Sequence, residues 1–330
     1  MESRERVRAA LSLERPDRPP AGWWGHTYRE EWSPRDLARV TVARQREYGW
    51  DFVKLQPRAS CFAEAFGCEY APARGFADAP AQVRPAVATP EDWARLPSVG
   101  ADAPALADQV EALRMVVEAI GTSVPVIQTV FSPLTVAGYL LREDKPGAAR
   151  ELREHPDRVG PALERIGEAL ADFATRSIEA GAAGIFYAIS GYASSDLFSL
   201  EEYERLALPY DRAVLASVRG RSWFDVLHLC GPRIHFELAS ELDAHAVSWS
   251  VHDPGNPSLP EGRDRSGKAV MGGLDHAGTL VHGSPDDVAA EARTDAFTTR
   301  GAGFLLAPGC SVPPEAPGEN LRAITERVRS

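Results

Sequence analysis

Eight short apolar segments alternate with helical segments along the 330-residue chain, and this alternation constrains the fold more than any other feature. The segments predicted to be strands are residues 21–24, 51–57, 125–131, 183–189, 223–229, 245–251, 269–273 and 303–307. In the second half of the chain, helices are predicted over 200–218, 232–241, 285–298 and 317–328, and residues 254–267 are predicted to be loop. Strict alternation of strands and helices predicts a parallel sheet, and eight such strands close most naturally into an α/β fold of the TIM (β/α)8 barrel type. The alternative, an open doubly wound sheet, usually has a glycine-rich phosphate loop after its first strand, and Gly22-Trp-Trp-Gly25 is not such a loop.

Two stretches fall outside the alternation. Residues 1–20 form an N-terminal extension, in which a helical pattern over 4–13 ends at a segment with three prolines in five residues. Residues 58–104 have scattered Pro and Gly and are predicted to be an insertion after the second strand, covering one end of the barrel. We therefore expect a single barrel domain over residues 1–330.

The overall composition restricts the class of partner. Hydrophobic residues make up 44% and charged residues 25% of the chain, which is typical of globular proteins. A formal net charge of −11 argues against binding to nucleic acid or to an anionic membrane, since both require clustered Lys and Arg. No run of 18 apolar residues occurs, so we expect a cytoplasmic protein whose partners are small molecules or other proteins.

The strongest chemical signal is a histidine and a cysteine two residues apart in Asp225-Val-Leu-His228-Leu-Cys230-Gly-Pro232. Side chains at i and i+2 of a strand point to the same side, so His228 and Cys230 can reach one metal ion. Cys310 follows the last strand and would lie at the same rim. The alternative for His228 and Cys230 is a buried cysteine packed beside a hydrogen-bonded histidine. Cys61 and Cys68 have no histidine nearby, and we interpret them as packing residues.

One imidazole and two thiolates favour zinc over magnesium or calcium and leave a fourth position open to substrate. Zinc deprotonates a coordinating thiol, so this ligand set suits alkyl transfer to sulfur. It would also suit activation of water for hydrolysis, and the ligands alone leave both possibilities open.

Other polar residues fall at the carboxyl ends of the predicted strands, where the active site of a TIM barrel lies. Candidates for a direct catalytic role are Asp253, Asp275 and Tyr28, and a carboxylate there could also be a fourth zinc ligand. Candidates for substrate binding are His26, Gln56, Tyr187 and His276. The alternatives are that His252-Asp253 and Asp275-His276 are solvated loop residues or orient the zinc histidine, and that Tyr28 packs against the N-terminal segment that covers the barrel.

Several motifs, in this order, resemble the uroporphyrinogen decarboxylase superfamily, and within it the methylcobalamin:thiol and corrinoid-dependent methyltransferases. They are Glu5-Arg-Val-Arg-Ala-Ala-Leu-Ser-Leu-Glu-Arg-Pro-Asp-Arg-Pro-Pro20, Ala63-Glu-Ala-Phe-Gly67, Ser132-Pro-Leu-Thr-Val-Ala-Gly-Tyr-Leu-Leu141, Leu200-Glu-Glu-Tyr-Glu-Arg-Leu-Ala-Leu-Pro-Tyr210, His228-Leu-Cys230-Gly231 and Ala307-Pro-Gly-Cys310-Ser-Val-Pro-Pro314. The resemblance implies a TIM barrel and zinc ligands at His228, Cys230 and Cys310. It also implies substrate binding by Tyr139, which matches a family tyrosine.

The chain departs from the decarboxylases at their substrate-binding positions. Their arginine-rich Met-Arg-Gln-Ala-Gly-Arg loop is replaced by Gly22-Trp-Trp-Gly-His-Thr-Tyr-Arg29, and the aspartate after their second strand falls in a region that reads Lys54-Leu-Gln-Pro57. Their C-terminal Gly-His-Gly is Pro308-Gly-Cys310 here. A porphyrinogen would lose most of its partners, so the methyltransferase branch is favoured.

The expected function is thus a zinc-dependent methyltransferase that moves a methyl group between methylcobalamin, or a corrinoid protein, and a small-molecule thiol or other soft nucleophile. Asp243-Ala-His245-Ala-Val-Ser248 lacks the final glycine of the corrinoid-binding motif, so a corrinoid would be carried by a separate protein. The alternatives are a decarboxylase of uroporphyrinogen or another acid, and a binding protein without catalytic activity.

Overall fold

A computed structural model of the protein describes residues 1–142 and 144–326. Its centre is a curled sheet of seven parallel strands whose order follows the chain. These strands are β1 (Val53–Leu55), β4 (Val126–Phe131), β5 (Gly184–Ser190), β6 (Val226–Cys230), β7 (Ala246–Ser248), β8 (Ala269–Leu274) and β9 (Phe304–Pro308). Helices cover the sheet, and the strands are buried on both faces, which explains their nearly continuous apolar sequences.

Residues 20–22 lie between the two edges of this sheet. The amide of Leu306 in β9 donates to the carbonyl of Pro20 (2.9 Å), and the amide of Asp51, just before β1, donates to the carbonyl of Ala21 (2.9 Å). The predicted first strand at 21–24 is thereby reduced to a single parallel bridge between Ala21 and Leu306. Pro19 and Pro20 have no backbone N–H donors, which limits the number of hydrogen bonds that this segment forms with β9. The α/β class and the parallel, curled arrangement are confirmed.

The N-terminal extension is held to the sheet by a buried carboxylate. Helix α1 (Ser3–Leu11) provides Arg6, whose Nη1 lies 2.7 Å from Asp51 Oδ1. Arg18 contacts the other oxygen of Asp51 at 2.5 Å, and the amide of Ala21 donates to the same oxygen. Asp51 therefore fixes the position at which the chain enters the sheet.

The region 58–104 contains more regular structure than its sequence predicts. It has a short helix α3 (Cys61–Ala65), an antiparallel strand pair of β2 (Glu69–Ala71) and β3 (Ala81–Arg84), and a 3-10 helix (Pro90–Arg95). Cys61 and Cys68 are both buried here, as expected for packing residues.

The remaining helices largely follow the predicted alternation. They are α2 (Pro34–Tyr48), α4 (Pro104–Ile120), α5 (Pro133–Leu140), α6 (Lys145–Glu154), α7 (Pro156–Glu179), α8 (Leu200–Leu206), α9 (Leu208–Ala216), α10 (Leu238–Glu241), α11 (Leu259–Ser266), α12 (Thr279–His282), α13 (Pro285–Thr298) and α14 (Gly318–Glu326). Among the described residues, no helix combines the length and the apolar character needed to cross a membrane.

The predicted helix boundaries were wrong in three places. The helix predicted over 200–218 is two helices that meet at Ala207, ahead of Pro209, because proline cannot donate the hydrogen bond that a continuous helix needs. The helix predicted over 232–241 is only the short α10, whereas α11 forms in a stretch predicted to be loop. The predicted last helix, 317–328, is observed as α14, and its final two residues lie outside the described part of the chain.

Candidate metal centre

The ends of β6 and β9 bring His228, Cys230 and Cys310 together. The possible ligand atoms of these residues all lie within 4.8 Å of one another, and the two sulfur atoms are 3.7 Å apart. In the described parts of the chain, this is the one cluster of three or more His, Cys, Asp or Glu side chains with metal-ligand geometry. The predicted convergence of the three residues is therefore observed.

The spacing of the two cysteines fits a tetrahedral zinc site. With Zn–S bonds of about 2.3 Å, tetrahedral geometry places two ligating sulfur atoms about 3.8 Å apart. The observed Sγ–Sγ distance of 3.7 Å agrees with this value, and it is far longer than a disulfide bond. The donor set and the distance between the two sulfur atoms therefore fit zinc.

His228 is oriented by its neighbours. Its Nδ1 atom lies 3.2 Å from Ser248 Oγ, on the adjacent strand β7 in register with His228, and its ring packs 5.0 Å from that of Phe186. An Nδ1–H that donates to Ser248 leaves the Nε2 lone pair free to bind a metal ion.

We expect Ser248→Ala to weaken zinc binding about tenfold to 100-fold, because outer hydrogen bonds to a ligating histidine contribute that much to affinity. Competition with a chromophoric chelator measures this directly. Ser250→Ala is a matched control, since Ser250 is also buried but its Oγ has no hydrogen-bond partner among the described residues. Equal zinc affinities in the two variants would contradict the orienting role of Ser248.

The thiols of Cys230 and Cys310 interact directly, with their sulfur atoms 3.7 Å apart. The pKa of Cys310 lies well below its ordinary value because Cys230 and His228 hydrogen-bond to it. The pKa of Cys230 is correspondingly raised by the bond to Cys310 and by burial. The contact between the two sulfur atoms therefore shifts the pKa values of Cys230 and Cys310 in opposite directions.

A second polar network lies beside the cysteines. Lys54, on β1, is buried, and burial lowers its pKa to about 7 although the negative charges of Cys310 and Glu31 oppose this. Its ammonium donates to Gln56 Oε1, and Gln56 Nε2 lies 2.8 Å from His26 Nε2. His26 Nδ1 in turn lies 2.9 Å from Glu31 Oε1.

Three of the predicted site residues belong to or contact this network. Both ring nitrogens of His26 and the side-chain amide of Gln56 are engaged within it, so these groups position Lys54 and one another. The ring of Tyr28 stacks on that of His26 at 4.7 Å. Burial, with Glu31 nearby, raises the pKa of Tyr28, so the phenol stays protonated and is suited to donating a hydrogen bond.

Tyr187 faces the surrounding helices, and Tyr139 packs against Phe131. The hydroxyl of Tyr187 donates to Asp211 in α9 at 2.7 Å, and that of Tyr203 donates to the other oxygen of Asp211. Tyr187 is therefore enclosed between the sheet and its helices, which contradicts the prediction that it binds substrate. The ring of Tyr139 stacks on Phe131 at 5.8 Å, and its carbonyl accepts from Gln82.

The predicted residues after β7 and β8 divide into two groups. Asp253 and His276 lie near the cysteines, since the charge of Asp253 raises the pKa of Cys230 and that of His276 lowers the pKa of Cys310. Asp275 Oδ1 instead accepts from the amides of Ala277 and Gly278, so it caps its own turn. This contact is local and gives Asp275 a structural role.

A further charged cluster joins the loop after β7 to helix α13. His252 Nε2 lies 3.1 Å from Glu291 Oε1 and 2.8 Å from the carbonyl of Gly273. The hydrogen bond with Glu291 raises the pKa of His252 to about 9, and burial raises that of Asp295, one turn further along α13, to about 7. Sequence reasoning missed Glu291 and Asp295 because they lie in a helix, far along the chain from His252.

We expect His252 to stabilise the fold most strongly below pH 6.5, its unfolded pKa, and to lose this contribution as the pH rises through about 9. Chemical denaturation of the protein and of Glu291→Gln at several pH values measures the effect. The variant should show a flatter dependence between pH 6.5 and 9, and identical pH profiles would contradict the pairing. The raised pKa of Asp295 affects stability in a different pH range, below about pH 7.

The sequence of the whole chain matches a known protein family. The family model described as "Uroporphyrinogen decarboxylase (URO-D)" matches residues 2–330. The methylcobamide:CoM methyltransferase MtbA of Methanosarcina mazei is 25% identical over 295 residues, which cover 89% of this chain and 84% of that protein. The methylcobamide:CoM methyltransferase MtaA of Methanosarcina barkeri is 27% identical over 304 residues, which cover 88% and 83% of the two chains.

A decarboxylase and a solved structure complete the comparison. The uroporphyrinogen decarboxylase of Solibacter usitatus is 29% identical, but only over 66% of this chain and 63% of its own. The structure of a methyltransferase from Methanosarcina mazei superposes with a TM-score of 0.83 at 24% identity, covering 100% of this chain and 98% of the other, which shows a shared fold. The protein is therefore an enzyme of the uroporphyrinogen decarboxylase family and belongs to the branch of that family that contains methyltransferases.

Proposed function

We propose that this enzyme is a zinc-dependent methyltransferase that moves a methyl group between a methylated corrinoid and a small-molecule thiol. The observation that carries the proposal is the cluster of His228, Cys230 and Cys310, with all possible ligand atoms within 4.8 Å. The names of the relatives, methylcobamide:CoM methyltransferases, support a corrinoid donor and a thiol acceptor.

The residues of the site each have a part in this chemistry. Zinc held by His228, Cys230 and Cys310 would supply the Lewis acidity that keeps an acceptor thiol deprotonated at neutral pH. Ser248 orients His228, and Phe186 packs against its ring, so the imidazole is presented in one orientation. Asp253 and His276, both close to the cysteines, are the groups placed to contact the acceptor or to accept the proton that it releases.

We propose that the domain is a complete barrel over residues 1–330, in which residues 20–22 take the eighth strand position. The hydrogen bonds of Pro20 and Gly22 to Leu306, and of Ala21 to Asp51, support this closure. A corrinoid carried by a separate protein would then dock over the carboxyl ends of the strands. Four free cysteines favour a reducing compartment, in agreement with a cytoplasmic location.

Metal analysis of the purified protein, followed by an absorbance assay with methylcobalamin and a panel of thiols, tests the proposal. We expect stoichiometric zinc and thiol-dependent demethylation of methylcobalamin that stops when a chelator removes the metal. Demethylation at the full rate without zinc would refute the metal's role. Release of carbon dioxide from uroporphyrinogen, undiminished by chelation, would instead favour the decarboxylase alternative.

A further inference from the structure

A surface cavity lies at the amino ends of the strands, at the opposite end of the sheet from the candidate metal centre. Its volume is about 390 Å³, which is within the range of small-molecule sites. It is formed by residues 15–19, which lead into the entry segment 20–22, and by residues 296–301, between α13 and β9. Because the metal ligands lie at the carboxyl ends of β6 and β9, a ligand in this cavity would not compete with the substrates of the metal centre.

Two arginines that line this cavity carry charges that the protein does not compensate. Arg15 and Arg300 are exposed, and in the described part of the chain neither forms an ion pair or a side-chain hydrogen bond. The other charged residues of the lining are already paired, since Asp17 lies 2.7 Å from Arg6 and Arg18 contacts the buried carboxylate that anchors the extension. The cavity therefore presents two free positive charges on a chain whose formal net charge is −11.

Arg300 adopts a backbone conformation that favours glycine. Its φ is +56°, at the position after a helix that glycine usually fills. The amide of Gly301 donates to the carbonyl of Ala296, and the amide of Arg300 donates to that of Phe297, so the end of α13 is a Schellman motif. Since backbone amides already bond these carbonyl groups, the helix does not need the Arg300 side chain as a cap. Backbone strain of this kind is characteristic of functional sites.

Phe297 adds an aromatic face to the same cavity. Its exposed fraction is 83%, higher than that of any other large hydrophobic residue in the described part of the chain. Arg15 lies over the turn that follows, because its Cγ and Nε atoms are 3.8 Å from the point that a Cβ at Gly301 would occupy. Aromatic rings stack on such a face, and guanidinium groups bind phosphate through paired hydrogen bonds.

We infer that this cavity binds a small anion that carries an aromatic ring, and that nucleoside monophosphates are the chemical class that fits it. Arg15 and Arg300 bind the phosphate, and Phe297 stacks on the base. The concave shape favours a small molecule over a protein partner, which would need an interface of at least about 1,000 Å². This site is independent of the proposed methyl transfer. A bound ligand would tie the entry segment to the turn before β9 and so raise the melting temperature.

Three related ligands test the inference. Calorimetric titration of the zinc-loaded, full-length protein is carried out with adenosine monophosphate (AMP), adenosine and inorganic phosphate. We expect saturable AMP binding with a Kd below about 1 mM, and binding at least about tenfold weaker for adenosine and for phosphate, since each lacks one of the two contacts. Phosphate that binds as tightly as AMP would overturn the inference, because no aromatic recognition would then occur. Absence of saturable AMP binding up to about 10 mM would also overturn it.

Substitutions locate the bound nucleotide. Arg300→Gly removes the charge and the backbone strain together, so we expect a melting temperature without ligand at or above that of the wild type. Its affinity for AMP should fall at least about tenfold. Arg142→Gly is the matched control, since Arg142 is also exposed with a φ of +54° but does not line this cavity. It should leave AMP binding unchanged.

Phe297→Ala separates stacking from charge. Because the side chain is exposed, its removal should not disturb folding, and we expect AMP affinity to fall about tenfold while phosphate affinity stays the same. AMP affinities in Arg300→Gly and Phe297→Ala equal to that of the wild type would place the nucleotide elsewhere and overturn the inference. An equal loss of affinity in Arg142→Gly and Arg300→Gly would also contradict it, since it would point to an effect of overall charge.

Discussion

We expect Cys230→Ala to purify without stoichiometric zinc and to lose at least about 100-fold of its thiol-dependent methyl-transfer rate. Removal of a direct ligand should exceed the tenfold to 100-fold effect typical of outer-shell changes. Only His228 and Cys310 would remain, and Cys310 would lose the thiol that hydrogen-bonds to it at 3.7 Å. Elemental analysis of the purified variant and the methylcobalamin assay give the two readouts.

Cys61→Ala is the matched control for this variant. Cys61 is a buried free thiol in α3, outside the metal cluster, so its loss should leave zinc content and activity close to those of the wild type. A Cys230→Ala variant with full turnover, or with unchanged zinc, would refute the metal site. Equal losses in both variants would point to general damage from replacing a buried cysteine.

The second large effect should come from Asp211→Ala, which we expect to lower the free energy of unfolding by about 3 to 5 kcal/mol. Asp211 is almost completely buried and accepts hydrogen bonds from the hydroxyls of Tyr187 and Tyr203, both at 2.7 Å. Without it, two buried hydroxyls lose their acceptor at a cost of about 1–3 kcal/mol each. Urea denaturation followed by circular dichroism measures the change.

Asp211→Asn separates the contribution of the side chain's shape to stability from the contribution of its charge. The amide can still accept from one tyrosine and donate to the other, so its effect on stability should be far smaller than that of alanine. Burial raises the pKa of Asp211 to about 7, so wild-type stability should fall as the pH rises from about 4 through 7, because the unfolded carboxyl ionises first. The asparagine variant should lack this dependence, and a stability loss as large as that of alanine would contradict the hydrogen-bonding account.

The candidate metal centre was predictable because its signal in the sequence is local. His228 and Cys230 share one face of a strand by their spacing alone, and Gly231-Pro232 marks where that strand ends. Cys310 follows a second apolar run, and parallel strands end at a common rim. These relations need only the strand period and the direction of the chain.

The inner and outer faces of the other strands were not predictable in the same way. A strand buried on both sides lacks alternation of polar and apolar residues, so the sequence of β5 does not reveal which side chains face inward. The register pairs Ala188 with His228 and Tyr187 with Leu227, so Tyr187 points to the helices.

Residues that act through long-range contacts were beyond sequence reasoning. Ser248 contacts His228 because β6 and β7 are adjacent and in register, and Glu31 reaches His26 through the turn that carries both. No motif or spacing in the sequence indicates either pairing. Such contacts depend on how the strands and loops are arranged in three dimensions.

The contact between residues 20–22 and β9 has a consequence for the order of folding during synthesis. Pro20 and Gly22 exchange hydrogen bonds with Leu306, so the entry segment must wait until nearly the whole chain has left the ribosome. Contacts of such long sequence separation form slowly and late. Cys310 emerges only four residues after Leu306, so the last strand to be docked also delivers the last metal ligand. A nascent chain stalled before residue 304 would therefore bind zinc weakly and expose an unpaired sheet edge. Chaperones would be most needed before β9 has docked.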